Sequence, residues 1–145
     1  MKFRSTLILA SLTLATAALA LQGVKNPAVK ARMDAMGVIG DNTQVLGHMA
    51  KGATPFDAAR ARAAAAAIAH HAATTPALFE AREDDPKSEA MPAIWDNFND
   101  FAIKAMALQT AAESAAHGVA TPQDLRAALG EIGAACKSCH QTYRE

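Results

Sequence analysis

The sequence has few aromatic side chains and few cysteines, and neither sign of charge prevails. Aromatic residues make up 5% of the 145 residues, there are two cysteines, and 14 Lys and Arg balance 14 Asp and Glu. Two cysteines exclude the disulfide framework of small secreted folds, and a formal net charge of zero excludes the basic surface typical of nucleic-acid binding. Hydrophobic residues still reach 51%, with alanine in excess, which favours helices and fills a core thinly. A chain of this length suits one compact domain.

The first 20 residues have the pattern of a secretory signal peptide. Two basic residues precede an apolar stretch over 7–15, and the segment closes on Ala-Leu-Ala at 18–20. An uncleaved membrane anchor is the alternative, but the stretch is short for a span of roughly 20 residues and no second span follows. We therefore expect a signal peptide over residues 1–20, a mature domain over residues 21–145 with no membrane anchor, and a location outside the cytoplasm.

Caps and breaks divide the mature chain into four predicted helices. Thr or Asn followed by Pro is typical of a helix start, and glycine of a helix end. These signals predict helix starts at Asn26-Pro27, Thr54-Pro55, near Pro92 and at Thr121-Pro122, and helix ends at Gly52, about Thr74 and Gly118. Residues 81–90 are interpreted as a loop, and no alternating run predicts a strand. Helices of about 30 Å with short connections fit an all-α, antiparallel up-down-up-down four-helix bundle.

Both cysteines belong to one CxxCH motif, the attachment signature of a c-type haem. On a helix, residues at i, i+3 and i+4 share a face, so both thiols can add to the porphyrin vinyl groups while the histidine points at the iron. An apolar stripe on the same predicted helix contains both cysteines, which puts the haem inside the bundle. The motif thus predicts one covalent haem c, with small alanine side chains leaving room for it; its residues are Cys136, Lys137, Ser138, Cys139 and His140.

Two other roles for the cysteines are open. A CxxC thiol oxidoreductase would use them as a dithiol pair, but that function calls for a thioredoxin-like βαβ context, which an all-helical chain lacks. A structural zinc site needs four ligands, and only Cys136, Cys139 and His140 are clustered. Haem attachment is the interpretation that the sequence favours.

The order and spacing of several motifs resemble the class II c-type cytochromes, which are cytochrome c′ and its low-spin six-coordinate relatives. The CxxCH lies five residues from the end of the sequence, and an Arg and a Met four residues apart occupy the first helix. The segment between the second and third helices departs from cytochrome c′, because it is acidic and lacks a glycine-rich, tryptophan-bearing stretch. The other matching motifs are Met49-Ala50-Lys51-Gly52, Phe56-Asp57-Ala58 and Pro92-Ala93-Ile94-Trp95.

The resemblance implies a periplasmic one-electron carrier, not an enzyme, with redox proteins as partners. It implies that His140 binds the iron and that Met36 faces the distal side. Met36 either ligates the iron, which suits electron transfer, or leaves the site open to NO or CO. Arg32 would bind a haem propionate, and Arg144 would lie in the proximal pocket, where helical spacing also puts it beside His140. Family members are often dimers through the first two helices, and this sequence is compatible with a homodimer or a monomer.

Overall fold

Five helices account for most of residues 23–145, which are the residues that the computed structural model describes. The predicted signal peptide lies outside the described residues. Within them there is no β-strand beyond one isolated bridge between Ala90 and Arg144. None of the described helices combines the length and the apolarity needed to cross a membrane. The helices are α1 (Pro27–Ala50), α2 (Ala58–Leu78), α3 (Ala93–Asp96), α4 (Phe98–Gly118) and α5 (Pro122–Tyr143).

The four long helices form the bundle that the sequence predicts. Helix α1 packs against α2 and α5, and α4 packs against the same two helices, so that neighbours in the chain are neighbours in space. The contact between α1 and α5 is the least extensive of the four. The all-α fold class is thus confirmed, and the bundle is least closed along the pair of helices that holds the predicted site residues.

Two of the predicted helix starts have the expected caps. The side-chain oxygen of Asn26 accepts hydrogen bonds from the N–H groups of Ala28 (2.9 Å) and Val29 (3.1 Å). Thr121 and Asp124 form a reciprocal capping box, in which each side chain bonds the other's backbone N–H. These side chains satisfy backbone donors that a helix start leaves without an intrahelical partner.

The second and third helices differ from the prediction at their boundaries. Helix α2 starts at Ala58 because Asp57, and not Thr54, is its N-cap, accepting a hydrogen bond from the Arg60 N–H at 2.9 Å. It also continues through Pro76 to Leu78, since a proline in the last turn removes only one terminal hydrogen bond. The predicted third helix is interrupted at Asn97, whose φ of −133° and ψ of 44° are not helical.

Alanine allows the helices to approach closely in the core. Helix α2 presents small side chains to its neighbours at almost every buried position, and each of these residues is at most 6% exposed. Small-to-small contacts bring backbones together but bury little area per residue, so this part of the core is dense and thin. The buried residues of α2 are Ala61, Ala64, Ala65, Ile68, Ala69, Ala72 and Thr75.

Residues 79–92, which we call the strap, connect α2 to α3 and are fastened to the side of α1 by Arg32. The Arg32 side chain is 3% exposed. Its Nε, Nη1 and Nη2 atoms donate to the backbone carbonyls of Leu78 (2.9 Å), Glu83 (2.8 Å) and Ala81 (2.6 Å). One buried guanidinium therefore satisfies three carbonyl groups in and next to the strap.

A second fastening joins the strap to the start of α1 through the Asp85 carboxylate. Asp85 is 6% exposed and accepts hydrogen bonds from the backbone N–H groups of Lys25 (2.9 Å), Asn26 (3.1 Å) and Lys87 (3.0 Å). The hydrogen bond from Lys87, followed by those from Asn26 and Lys25, lowers the pKa of this carboxyl group. The charged form of Asp85 is thus the form that the fold stabilises.

The replacement Asp85→Asn is therefore expected to destabilise the holoprotein at pH 7 and to destabilise it less in acid. A carboxyl group with a lowered pKa stabilises the fold above its unfolded pKa of about 3.9, and this stabilisation is lost as the pH falls through the lower folded pKa. Urea unfolding at pH 7 and near pH 3 measures the difference. Asp41→Asn, at an exposed position, is the control; an Asp85→Asn effect of equal size at both pH values would contradict this account.

A third fastening joins the strap to the end of α5. The Met91 N–H donates to the Tyr143 carbonyl at 3.0 Å, and the Glu145 N–H donates to the Glu89 carbonyl at 3.0 Å, on either side of the bridge between Ala90 and Arg144. The strap therefore links the start of α1 to the end of α5 at one end of the bundle.

Candidate cofactor site

A cavity of about 550 Å³ lies between the helices at the end of the bundle that the strap covers. Its volume falls in the range of about 300–1,000 Å³ that is typical of ligand sites. All four long helices, α3 and the strap contribute to it, and its walls are mainly apolar. The apolar residues include Val29, Met33, Met36, Ile39, Ala72, Phe79, Ile94, Phe101, Ala105 and Leu108.

The three chemical groups of the CxxCH motif line this cavity together. Cys136, Cys139 and His140 lie in the last two turns of α5, which is helical through Tyr143. The predicted shared face is thus present, because the helix is regular over the whole motif. Both cysteines are partly buried and neither forms a disulfide.

The environment of the thiols does not favour dithiol redox chemistry. Burial raises the pKa of both Cys136 and Cys139 above the usual value for cysteine. Redox-active pairs depend on a lowered pKa and a thiolate at neutral pH. A zinc site also lacks its ligands, since among residues 23–145 no three His, Cys, Asp or Glu side chains are grouped so as to hold a metal ion.

His140 has the protonation state that metal binding requires. Partial burial and, to a smaller extent, the positive charge of Arg144 lower the pKa of its imidazole. The neutral ring, which can donate a nitrogen lone pair to a metal, is therefore favoured at pH 7. The other four histidines, at positions 48, 70, 71 and 117, do not line the cavity.

Arg144 also lines the cavity, at the point where α5 ends. Its N–H donates to the His140 carbonyl at 3.2 Å, as helical spacing predicts, and its charge acts on the His140 ring. Its own backbone is extended, with φ of −125° and ψ of 139°, and pairs with Ala90, while its Nε donates to the Glu89 carboxylate at 2.5 Å. Arg144 thus lies near His140, with its side chain directed by the strap, and its role in a proximal pocket stays a prediction.

Met36 lines the cavity from α1, the helix next to the CxxCH segment. Met33, one turn earlier, lines it too, so two thioether groups face the same space. Gly37 and Gly40 also belong to this wall. Both glycines are exposed, and a Cβ atom at either would meet open space.

Arg32 lines the cavity as a buried cation that has carboxylates nearby, at Glu83 and Asp84, but none in contact. Its guanidinium has five N–H groups, and three of its atoms bond to carbonyls. No carboxylate among residues 23–145 forms an ion pair with it. Because buried charges in proteins are normally paired, an anionic group in the cavity would complete its surroundings, and a haem propionate is such a group.

An aromatic cluster lines the strap end of the cavity, and no motif in the sequence points to it as part of the site. Phe79 and Phe101 have ring centres 4.9 Å apart, and Tyr143 meets Phe101 edge-on at 5.5 Å. The Tyr143 hydroxyl donates to the Asp100 carboxylate at 2.5 Å, which raises the pKa of Tyr143 to about 12. Spacing along the chain gives no signal for a contact between residues 43 positions apart.

The residues of the cavity fit a covalently attached haem. Its apolar walls suit the porphyrin ring, the two thiols can form the thioether bonds, and a neutral imidazole and a thioether are available to the iron. The buried Arg32 fits a carboxylate at the edge of the ring.

Comparison with known proteins agrees with this site. The family described as Cytochrome C′ matches residues 27–144. Cytochrome c-556 of Agrobacterium fabrum is 39% identical over 117 residues, covering 80% of each chain. Cytochrome c′ of Cereibacter sphaeroides is 35% identical over 143 residues, covering 94% of this chain and 95% of that protein. Cytochrome c′ of Rhodopseudomonas palustris superposes with a TM-score of 0.78 at 30% identity, covering 83% of this chain and 98% of that chain. The predicted resemblance is thus confirmed, and the chain belongs to the cytochrome c′ family, whose members bind one covalent haem c.

Proposed function

We propose that the protein is a periplasmic one-electron carrier whose haem c is bound through Cys136 and Cys139, with His140 and Met36 as axial ligands. The observation that carries this proposal is that all four side chains line one cavity, Met36 from α1 and the other three from α5. When bound, haem supplies a one-electron iron couple whose potential is set by its axial ligands, and a Met/His pair raises it.

The protein would contribute position, ligation and exclusion of water. Cys136 and Cys139 would attach the ring to α5, whose regular helix sets where His140 lies. Met36 would bind the iron from α1, the neighbouring helix. The mainly apolar walls would surround the ring and limit contact between water and the metal. Redox proteins of the periplasm are the proposed partners, and we assign no catalytic residue.

The proposed location depends on the signal peptide predicted over residues 1–20. The mass of the purified protein tests it, because cleavage after Ala20 leaves a chain that starts at Leu21.

Binding of a small gas is a second candidate function, because a cytochrome c′ of similar structure, 31% identical to this chain, forms a nitric oxide complex. If Met36 did not bind the iron, the cavity that it lines would be open to a diatomic molecule such as NO or CO. The two functions thus differ in one bond, between iron and the Met36 sulfur.

Replacement of Met36 by leucine is expected to convert the protein from a closed to a gas-binding form. Leucine keeps the apolar volume but has no sulfur to donate to the iron, so the wild type should show a methionine-to-iron charge-transfer band and Met36→Leu should lack it. After reduction, CO should shift the spectrum of Met36→Leu and leave that of the wild type unchanged. Optical spectra of both oxidation states, with and without CO, measure this.

Met33→Leu is the matched control, since Met33 is a thioether on the same wall. It should behave as the wild type in every spectrum. Rapid CO binding by the wild type, with Met36→Leu leaving all spectra unchanged, would contradict axial ligation by Met36 and support gas binding.

A further inference from the structure

Four basic side chains of Lys or Arg line the cavity, and two of them already have acidic partners. Arg144 pairs with Glu89 at 2.5 Å, and Lys104 lies 3.6 Å from the Asp100 carboxylate. The other two, Arg32 and Lys87, form no ion pair with any carboxylate of residues 23–145. The cavity therefore offers two cations that no carboxylate of the described residues contacts within 4 Å, although the charges of Glu83 and Asp84 also act on Arg32.

A haem carries two propionate carboxylates, which matches the number of unpaired cations. We propose that Lys87, together with Arg32, binds these carboxylates, one cation to each. This inference rests on the proposed haem function and extends it to a strap residue for which neither the motifs nor the resemblance predicts a role. It also places the charged edge of the cofactor at the strap end of the cavity.

The strap holds Lys87 in place through its backbone. The buried Asp85 carboxylate accepts the Lys87 N–H at 3.0 Å, and the Asp85 carbonyl accepts the Ser88 N–H at 2.8 Å. The Asp85 N–H in turn donates to the Asp84 carboxylate at 2.8 Å. The exposed Lys87 side chain therefore starts from a fixed turn at the cavity rim, which lowers the entropy that binding a carboxylate would cost.

The paired cations are poorer candidates because their carboxylates have other roles. Asp100 also accepts the Tyr143 hydroxyl, so withdrawing Lys104 would leave a carboxylate with one partner fewer beside the aromatic cluster. Glu89 binds Arg144 where the strap meets α5. Lys87 has no such partner to give up.

The test is the reduction potential of the holoprotein as a function of pH, in the wild type and in Lys87→Gln. Removing a positive charge near the ring stabilises the more positive oxidised state, so the potential should fall. The haem propionate that loses its cation should also titrate at higher pH. The inflection on the acid side of the plot of reduction potential against pH should therefore rise by about one pH unit. The ionisable groups that face the cavity in both proteins are Arg32, Glu89, Lys104, His140, Tyr143 and Arg144.

Three further variants make the result specific. Lys87→Arg keeps the charge and should restore both the potential and the inflection. Lys51→Gln removes an exposed lysine outside the cavity and should leave both at the wild-type values. Lys104→Gln removes a paired cavity lysine and should change them less than Lys87→Gln does.

Two results would overturn the assignment. If the reduction potentials of Lys87→Gln and Lys51→Gln depended on pH in the same way, Lys87 would not interact with the cofactor. If Lys104→Gln changed the potential and the inflection more than Lys87→Gln, the propionate-binding role would belong to Lys104. In either case, if all variants still bind haem covalently, only the assignment of Lys87 fails and the proposed function is unaffected. Absence of covalently bound haem from the wild type itself, in its alkaline pyridine spectrum, would refute both proposals.

Discussion

Replacing Cys136 and Cys139 together by serine is expected to give a protein that has no covalently bound haem and no stable bundle. Serine hydroxyls do not form the thioether bonds, so acid-acetone extraction should remove all colour from the variant and none from the wild type. Ser138→Ala, which changes an exposed residue between the two cysteines, is the control and should keep its haem.

The loss of the bundle follows from the size of the cavity. Without haem, a mainly apolar cavity of about 550 Å³ would be left between the helices, and its lining would lose the packing contacts of the ring. The whole free energy of unfolding of a domain is only about 5–15 kcal/mol. Far-ultraviolet circular dichroism and urea unfolding should therefore show weakened helicity and a broad transition. A sharp transition at the wild-type urea concentration would contradict a structural role for the cofactor.

Replacing Arg32 by methionine is expected to destabilise the holoprotein by about 3–5 kcal/mol. The variant keeps an apolar stem of similar length but leaves the carbonyls of Leu78, Ala81 and Glu83 without their donor. A hydrogen bond from a charged donor contributes about 1.5–3 kcal/mol, and because Ala81 and Glu83 are exposed, water can replace part of what their carbonyls lose. The free energy of urea unfolding measures the effect.

Arg82→Met is the matched control for this effect. Arg82 also lies over the Trp95 ring, at 5.5 Å, but it is exposed and forms only a 3.8 Å ion pair with Asp96. A surface pair of this kind contributes less than about 1 kcal/mol. Similar losses in Arg32→Met and Arg82→Met would mean that the carbonyl bonds of Arg32 do not hold the strap.

Local signals predicted the parts of the fold that depend on local physics. The cap at Asn26, the capping box at Thr121 and the common face of the CxxCH residues all follow from contacts within one or two helical turns. The predicted start of α2 at Thr54 is wrong because Asp57, three residues later, is the N-cap of this helix and accepts the hydrogen bond with its carboxylate.

Contacts that span the chain had no signal in the sequence. Arg32 binds carbonyls 46 to 51 residues away, and Asp85 binds N–H groups about 60 residues away. Every residue has a backbone carbonyl, whatever its side chain, so a sequence pattern cannot identify which carbonyls accept these hydrogen bonds. No breaker in the sequence marks the end of α5 at Tyr143, where the next residue, Arg144, pairs with Ala90 of the strap.

The position of Trp95 makes the strap observable apart from the rest of the molecule. It is the only tryptophan in the chain, its indole N–H donates to the Phe79 carbonyl at 2.8 Å, and the Arg32 guanidinium lies 5.4 Å from its ring centre. Its fluorescence therefore reports the polarity and the quenching groups at the strap, whereas circular dichroism reports the helices. If both signals are recorded during unfolding, release of the strap can be distinguished from unfolding of the whole bundle.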